Sequence, residues 1–269
     1  KTVELKLRRL GAYSDTAPWD CAKTDRIVTL LANTMVKNGT YQKGRLNVGF
    51  LGLMATGEKK YLDIVRRDLP KQEWYKPNPQ HMVELLKGER DMGLITWNLG
   101  YQLITLGEYY LITGDKTALP AIRTYAVALA RGQDAAGTWG HRLISETRNG
   151  RLPGYAHINQ PSLSCYLGML LARECGIDDP VVNDAIGRTH RFIASYINKG
   201  ALPYGVHGPK TKTFNNNGSS ASAAVAMKML GNDAGATFFS QQCAASYETM
   251  ERGHAAHYFN PFWTPLGVH

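Results

Sequence analysis

Tyrosine, histidine, asparagine and arginine crowd three non-helical stretches of this chain. The longest, GHRLISETRNGRLPGYAHINQ over residues 140–160, holds His141, Arg142, Arg148, Arg151, Tyr155, His157 and Asn159. A second carries His207, Lys210, Lys212, Asn215 and Asn216, and a third carries His254, His257 and Tyr258. Five of the eight histidines therefore fall in these loops, and long loops inside compact repeat proteins often carry function. The residue types suit β-elimination on a uronic acid. Asn or Arg neutralises the carboxylate and makes the C5 proton more acidic; His or Tyr removes that proton, and Tyr or His protonates the departing oxygen. On this reading Tyr155 and His157 form the acid/base pair, with His207 and His257 as alternatives. Asn98, Asn159, Asn216 and Arg151 hold the carboxylate. Arg142, Tyr258 and Asn260 complete the substrate-binding set, and Trp139 or Trp263 stacks on a sugar.

Other chemistries find fewer of their tools. Glycoside hydrolysis uses two carboxylates flanking the bond. The loops offer Glu146, then none between Gly205 and Asn217, then Glu251. A hydrolase would have to assemble distant groups such as Asp91, Glu146 and Glu251, and that stands as the alternative enzyme. The non-catalytic alternative is a scaffold whose basic face binds an anionic polymer or a protein. Cys21, Cys165, Cys175 and Cys243 show no metal-ligand spacing, so they read as buried thiols, and neither metal nor cofactor is expected. The adjacent acids Asp178-Asp179 precede Pro180 and read as a helix cap followed by a first-turn proline.

The loops must be positioned by helical hairpins. From Asn98 to Ile112 apolar residues cover nearly the whole helical surface, the pattern of a helix buried among others. Gly114 ends that helix, Asp115 can cap the next, and the second helix carries Leu119, Ile122, Ala126 and Leu129 on one stripe. An inner helix is thus followed by an outer one. The unit recurs. Glycines that could stop an inner helix stand at Gly57, Gly114, Gly176 and Gly231, separated by 57, 62 and 55 residues. Outer patterns follow at Tyr61–Leu69, Lys116–Arg131, Pro180–Ile197 and Asp233–Met250, and an earlier helix spans Thr24–Lys37. Helical hairpins at a near-constant period build solenoids or closed rings. Asn47, Asn98, Asn159, Asn217 and Asn260 mark where the inner helices begin. Singly they read as N-caps. Together, on one rim, they would aim several positive dipole ends into a shared cavity suited to an anion.

Between the outer helix and the long loop lies Gln133-Asp134-Ala135-Ala136-Gly137-Thr138-Trp139-Gly140. This run resembles the QW repeat of terpenoid cyclases and related α/α-toroid proteins. In them the Gln caps a helix end and the Trp ties adjacent hairpins together. The resemblance implies an all-α chain forming part or most of an α/α toroid. The Asp-rich motif of terpene cyclisation and the zinc site of prenyl transfer find no match here. In residue types and architecture the chain is instead similar to polysaccharide lyases built on α/α toroids. GAYSDTAPWDC and HYFNPFWTPLG prompt a further likeness, to bacterial proteins of unknown function that join a PDZ-like segment to a toroid.

Length and charge bound the rest. The 269 residues, 43% of them apolar, can bury a sizeable core. A net charge of +9 favours a polyanionic partner. No Lys/Arg run exceeds a pair, which counts against nucleic acid, and no apolar stretch approaches the roughly 20 residues that cross a bilayer. Residues 2–7 alternate as a short β-strand. Residues 1–20 read as that strand plus a linker, the remnant of a preceding domain in a longer protein, and residues 21–269 as the toroid. The expected partner is an acidic polysaccharide such as ulvan, which would place the protein in the periplasm or outside the cell; no oligomeric state is expected from the sequence.

Overall fold

All four glycine stops take positive φ, from +67° to +86°, a backbone conformation glycine adopts without the Cβ penalty and the usual way a helix is ended. The helices between them follow. The computed structural model describes residues 22–43, 45–87, 93–145, 149–205, 217–246, 250 and 259–268; the strand expected over residues 2–7 lies outside them. The described chain is all-α, with short 3-10 turns and two isolated β-bridges, Ser145–Arg151 and Ile158–Gly205. Its helices are α1 (Ala22–Asn38), α2 (Val48–Ala55), α3 (Lys59–Asp68), α4 (Pro79–Lys87), α5 (Ile95–Thr113) and α6 (Leu119–Arg131). They continue with α7 (Asn159–Glu174), α8 (Pro180–Ala194), α9 (Asn217–Met229), α10 (Asp233–Ala245) and α11 (Phe259–Val268).

Two compact units divide at Leu69 and Pro70, and α4 to α11 lie in the second. In the first unit, Tyr41 donates to Asp68 at 2.6 Å while Arg67 grips the same buried carboxylate from the next position. The Tyr41 ring meets Phe50 edge-on at 5.5 Å.

In the second unit α5 packs on α7, α7 on α9 and α9 on α11, while α6, α8 and α10 lie against them as second layers. Small residues set the inner spacing. A Cβ on Gly100 would lie 2.9 Å from the Cys165 nitrogen, and one on Gly168 3.1 Å from the Gly100 oxygen. Further along, Cys175 reaches the Gly107 carbonyl, so α5 and α7 run parallel. Trp97 meets Phe259, and Trp263 donates to the Tyr101 hydroxyl at 2.9 Å; α5 and α11 are therefore parallel too. Gly218 at the start of α9 donates to Asn260 at the start of α11. The amino ends of α5, α7, α9 and α11 thus share one end of this unit.

The Gln-Trp run locks the layers. Gln133 donates to the Ala185 carbonyl and Thr189 hydroxyl of α8 and accepts from Arg188. Trp139 donates from its ring to Leu129 of α6 and from its backbone to Ser162 of α7. Gly137, with φ +89°, leaves no room for a side chain against Arg188 and Thr189. Cys165, Cys175 and Cys243 are buried free thiols, and burial holds each thiol pKa high, that of Cys175 at about 12.

Candidate functional site

The shared amino end of the inner helices collects the chemistry of the 140–160 loop. Thr96 bonds both Gly140 and His141, so the start of α5 holds the start of that loop. Trp97 donates from its ring nitrogen to His141 Nδ1 at 3.0 Å. An indole nitrogen can only donate, so the His141 proton resides on Nε2 and the ring presents a donor there. The Tyr155 ring meets His141 edge-on at 5.9 Å and is 74% exposed. Ala156 follows with φ +60°, a strained value for a residue with a Cβ, of the kind that accumulates at functional sites. Past this turn the half-buried His157 packs on Phe192 at 5.2 Å.

The chain then enters α7 under tight control. Ile158 donates to Trp139 and Asn159 to Tyr204, while the Asn159 amide donates to Pro203 at 2.6 Å. Tyr204 lies near enough to Tyr155 to feel its charge. Burial first, and then Tyr155, raise the Tyr204 pKa, which keeps that phenol protonated. Burial likewise raises the Tyr196 pKa, opposed by the Asn159 amide beside it. Beyond these, Gln160, Asn217, Ser219 and Ser220 are essentially fully buried, and their side chains find no hydrogen-bond partner among the described residues. Neither α5 nor α7 has a side-chain cap. The outer helices and turns are capped by Asp115, Asp179 and Asn232.

Several expected roles change. The inner asparagines do not cap their own helices. Asn47 makes no cap bond, Asn98 is the fourth residue of α5, Asn159 turns to Pro203, and Asn260 instead accepts from Gly218 of the neighbouring helix. Trp139 is fully buried and Trp263 is 4% exposed with its nitrogen committed to Tyr101, so neither is open to stack on a sugar. Their size and bonds serve packing. Asn98 is exposed and lines a separate groove with Trp74 and His81. Arg142 is half-buried beside His141, and Arg151 is exposed on the small bridge to Ser145. His207, Asn216, His257 and Tyr258 lie outside the described residues, as do Asp91, Glu146 and Glu251 of the hydrolase alternative.

Sequence reasoning assigned no role to His141, Tyr204, Gln160, Ser219 and Ser220. His141 and Gln160 lay in the loop already singled out. For Ser219 and Ser220 the available signal was Asn217-Gly218-Ser219-Ser220, a polar opening to an otherwise apolar helix. Among the described residues no group of three or more His, Cys, Asp or Glu could hold a metal ion, and no helix is long and apolar enough to cross a membrane.

No curated protein and no solved structure matches the chain. One family does, and its match runs from Thr24 in α1 through residue 269. It extends over both compact units, and the chain therefore belongs to the family described as a domain of unknown function, DUF6288.

Proposed function

We propose that the protein is a lyase that cleaves a uronate-containing polysaccharide, such as ulvan, by β-elimination at the shared amino end of its inner helices. The observation that carries this reading is the group of buried amides and hydroxyls on Gln160, Asn217, Ser219 and Ser220 that have no hydrogen-bond partner among the described residues, at the same end of the unit as the Tyr155–His141 contact. Leaving a buried polar group unsatisfied costs roughly 1–3 kcal/mol, a cost that a hydroxyl- and carboxylate-bearing ligand would offset. The amino ends of α5 and α7, which lack side-chain caps, add partial positive charge suited to a carboxylate. The succession of α5, α7, α9 and α11, with α11 returning to α5 through Trp263 and Tyr101, supports a closing α/α toroid.

In the reaction, His157 or Tyr155 takes the C5 proton. The electron pair forms the C4–C5 double bond as the C4–O bond breaks, and the departing oxygen receives a proton from the Tyr204 phenol. Amide donors at the helix ends hold the carboxylate and stabilise the charge developing at C5.

The test is incubation with ulvan, alginate and pectate while following the ultraviolet absorbance of the unsaturated product. Tyr155→Phe and His157→Ala are expected to lower turnover by about 10²- to 10⁴-fold, the usual weight of general acid–base catalysis. No absorbance across the panel from folded protein would overturn the proposal, as would new reducing ends without an unsaturated product.

A further inference from the structure

A second concave surface lies on another side of α5. Residues 73–78, α4, the first two turns of α5 and Tyr125 of α6 enclose a groove of about 580 Å³, within the range of small-ligand sites. Met82, Leu85 and Leu99 give it a buried apolar wall. Trp74, Pro77 and Ile95 add apolar surface, and the acceptors and amides come from Glu73, His81, Glu84, Asn98 and Gln102. Asn98 and Gln102 stand four apart on α5 and so share one helical face. Among the described residues of this lining Lys76 is the lone Lys or Arg, against two carboxylates. That balance is opposite in sign to the whole chain and disfavours an anionic ligand.

The half-buried Trp74 is presented by an irregular segment that is nevertheless fixed. The Tyr125 hydroxyl donates to the Trp74 carbonyl at 2.7 Å. The neighbouring Tyr75 is buried, bonded to the Thr117 hydroxyl at 2.7 Å and packed edge-on against Tyr109. Pinning the segment before any ligand arrives lowers the ordering cost of binding. We infer that this groove binds an uncharged, hydroxyl-rich oligosaccharide, with a sugar ring against Trp74 and its hydroxyls donated to Glu73 and Glu84 and shared with the Asn98 and Gln102 amides. The inference does not depend on the lyase reading, since it uses none of the proposed catalytic groups.

Calorimetric titration with neutral hexasaccharides (gluco-, manno-, xylo- and galacto-configured) tests it, with a hexauronate as the charged comparison. At least one neutral chain is expected to bind. Its affinity should be unchanged between about 0.05 and about 0.5 M salt, because an uncharged ligand has no charge to screen. Trp74→Ala is expected to weaken it about tenfold or more, equivalent to about 1.4 kcal/mol. Glu84→Gln, which keeps shape and size, is expected to weaken it several-fold. Tyr155→Phe should leave it unaltered. The inference is overturned if no neutral chain binds wild-type protein at about 10 mM. It is equally overturned if both groove variants bind like wild type, or if the hexauronate alone binds and Trp74→Ala abolishes it.

Discussion

Gln160 and Asn217 each bury a whole primary amide without a partner among the described residues, at 0% and 1% exposure. Local sequence rules place such side chains at turns and caps, where a free backbone N–H satisfies them. Here Pro161 has no N–H to offer and Ser162 already donates to Ile158, so the first turn of α7 gives the Gln160 side chain nothing to accept from. A residue kept in this state destabilises the ligand-free fold, and replacing it with an apolar side chain of similar shape removes the cost. Gln160→Met is therefore expected to raise the urea midpoint, by about 1 kcal/mol in unfolding free energy, while lowering activity on uronate polymers. A fall in stability with activity intact would show that the amide has a structural partner and no ligand role. Ser222 makes the useful comparison. Its hydroxyl donates to Gly218 within α9, so Ser222→Ala should cost stability and spare activity.

At the scale of elements, the inner helices are parallel and pressed together, and glycine decides how close they come. A Cβ on Gly100 would stand 2.9 Å from the Cys165 nitrogen and 3.0 Å from the Ser164 carbonyl carbon, both backbone atoms that cannot rotate aside. Gly100→Ala should therefore push α5 from α7 and cost about 1–3 kcal/mol, the usual penalty of overpacking. Gly52 in α2 has only the end of Met35 near it, at 3.8 Å. Gly52→Ala should gain about 0.5–1 kcal/mol from better helix propensity. Urea denaturation of the two variants reads opposite signs; a loss at both positions would mean the α5–α7 approach is not the cause. The hairpins themselves were legible in the sequence, because a glycine stop and an apolar stripe act locally: Gly114 and Gly176 end α5 and α7 within two residues of the expected places. The asparagines misled for the opposite reason. Whether Asn260 serves α11 or α9 depends on a neighbour 42 residues away. Trp139 and Trp263 looked like sugar platforms because aromatic, glycine-flanked segments occur both in grooves and in cores, and only packing tells these apart. The Trp74 groove joins three segments separated along the chain, so no single stretch announced it beyond an irregular run containing Trp74 and Tyr75.

At the scale of the whole molecule, 31 basic residues against 22 acidic ones give +9, yet the buried side chains at the shared amino end are neutral amides and hydroxyls. Attraction and recognition are therefore carried by different groups. The surface field acts over about 10 Å at 0.1 M salt and is screened as salt rises, whereas buried hydrogen bonds are screened far less. Exposed pairs such as Lys59–Asp63 and Lys228–Asp233 contribute little to stability, so added salt should change encounter with a polyanion and leave the fold intact. If the lyase reading holds, raising salt from about 0.05 to about 0.5 M should increase KM for a polyuronate about tenfold or more and leave kcat nearly constant. A scaffold that recognises charge alone would behave differently: sulfated and uronate polymers would bind alike, and both would be released over the same salt range. Measuring initial rates for the uronate polymer and equilibrium binding for both across that range separates the cases. Equal release of the two polymers, with no turnover of either, would leave the basic surface as the whole of the interaction.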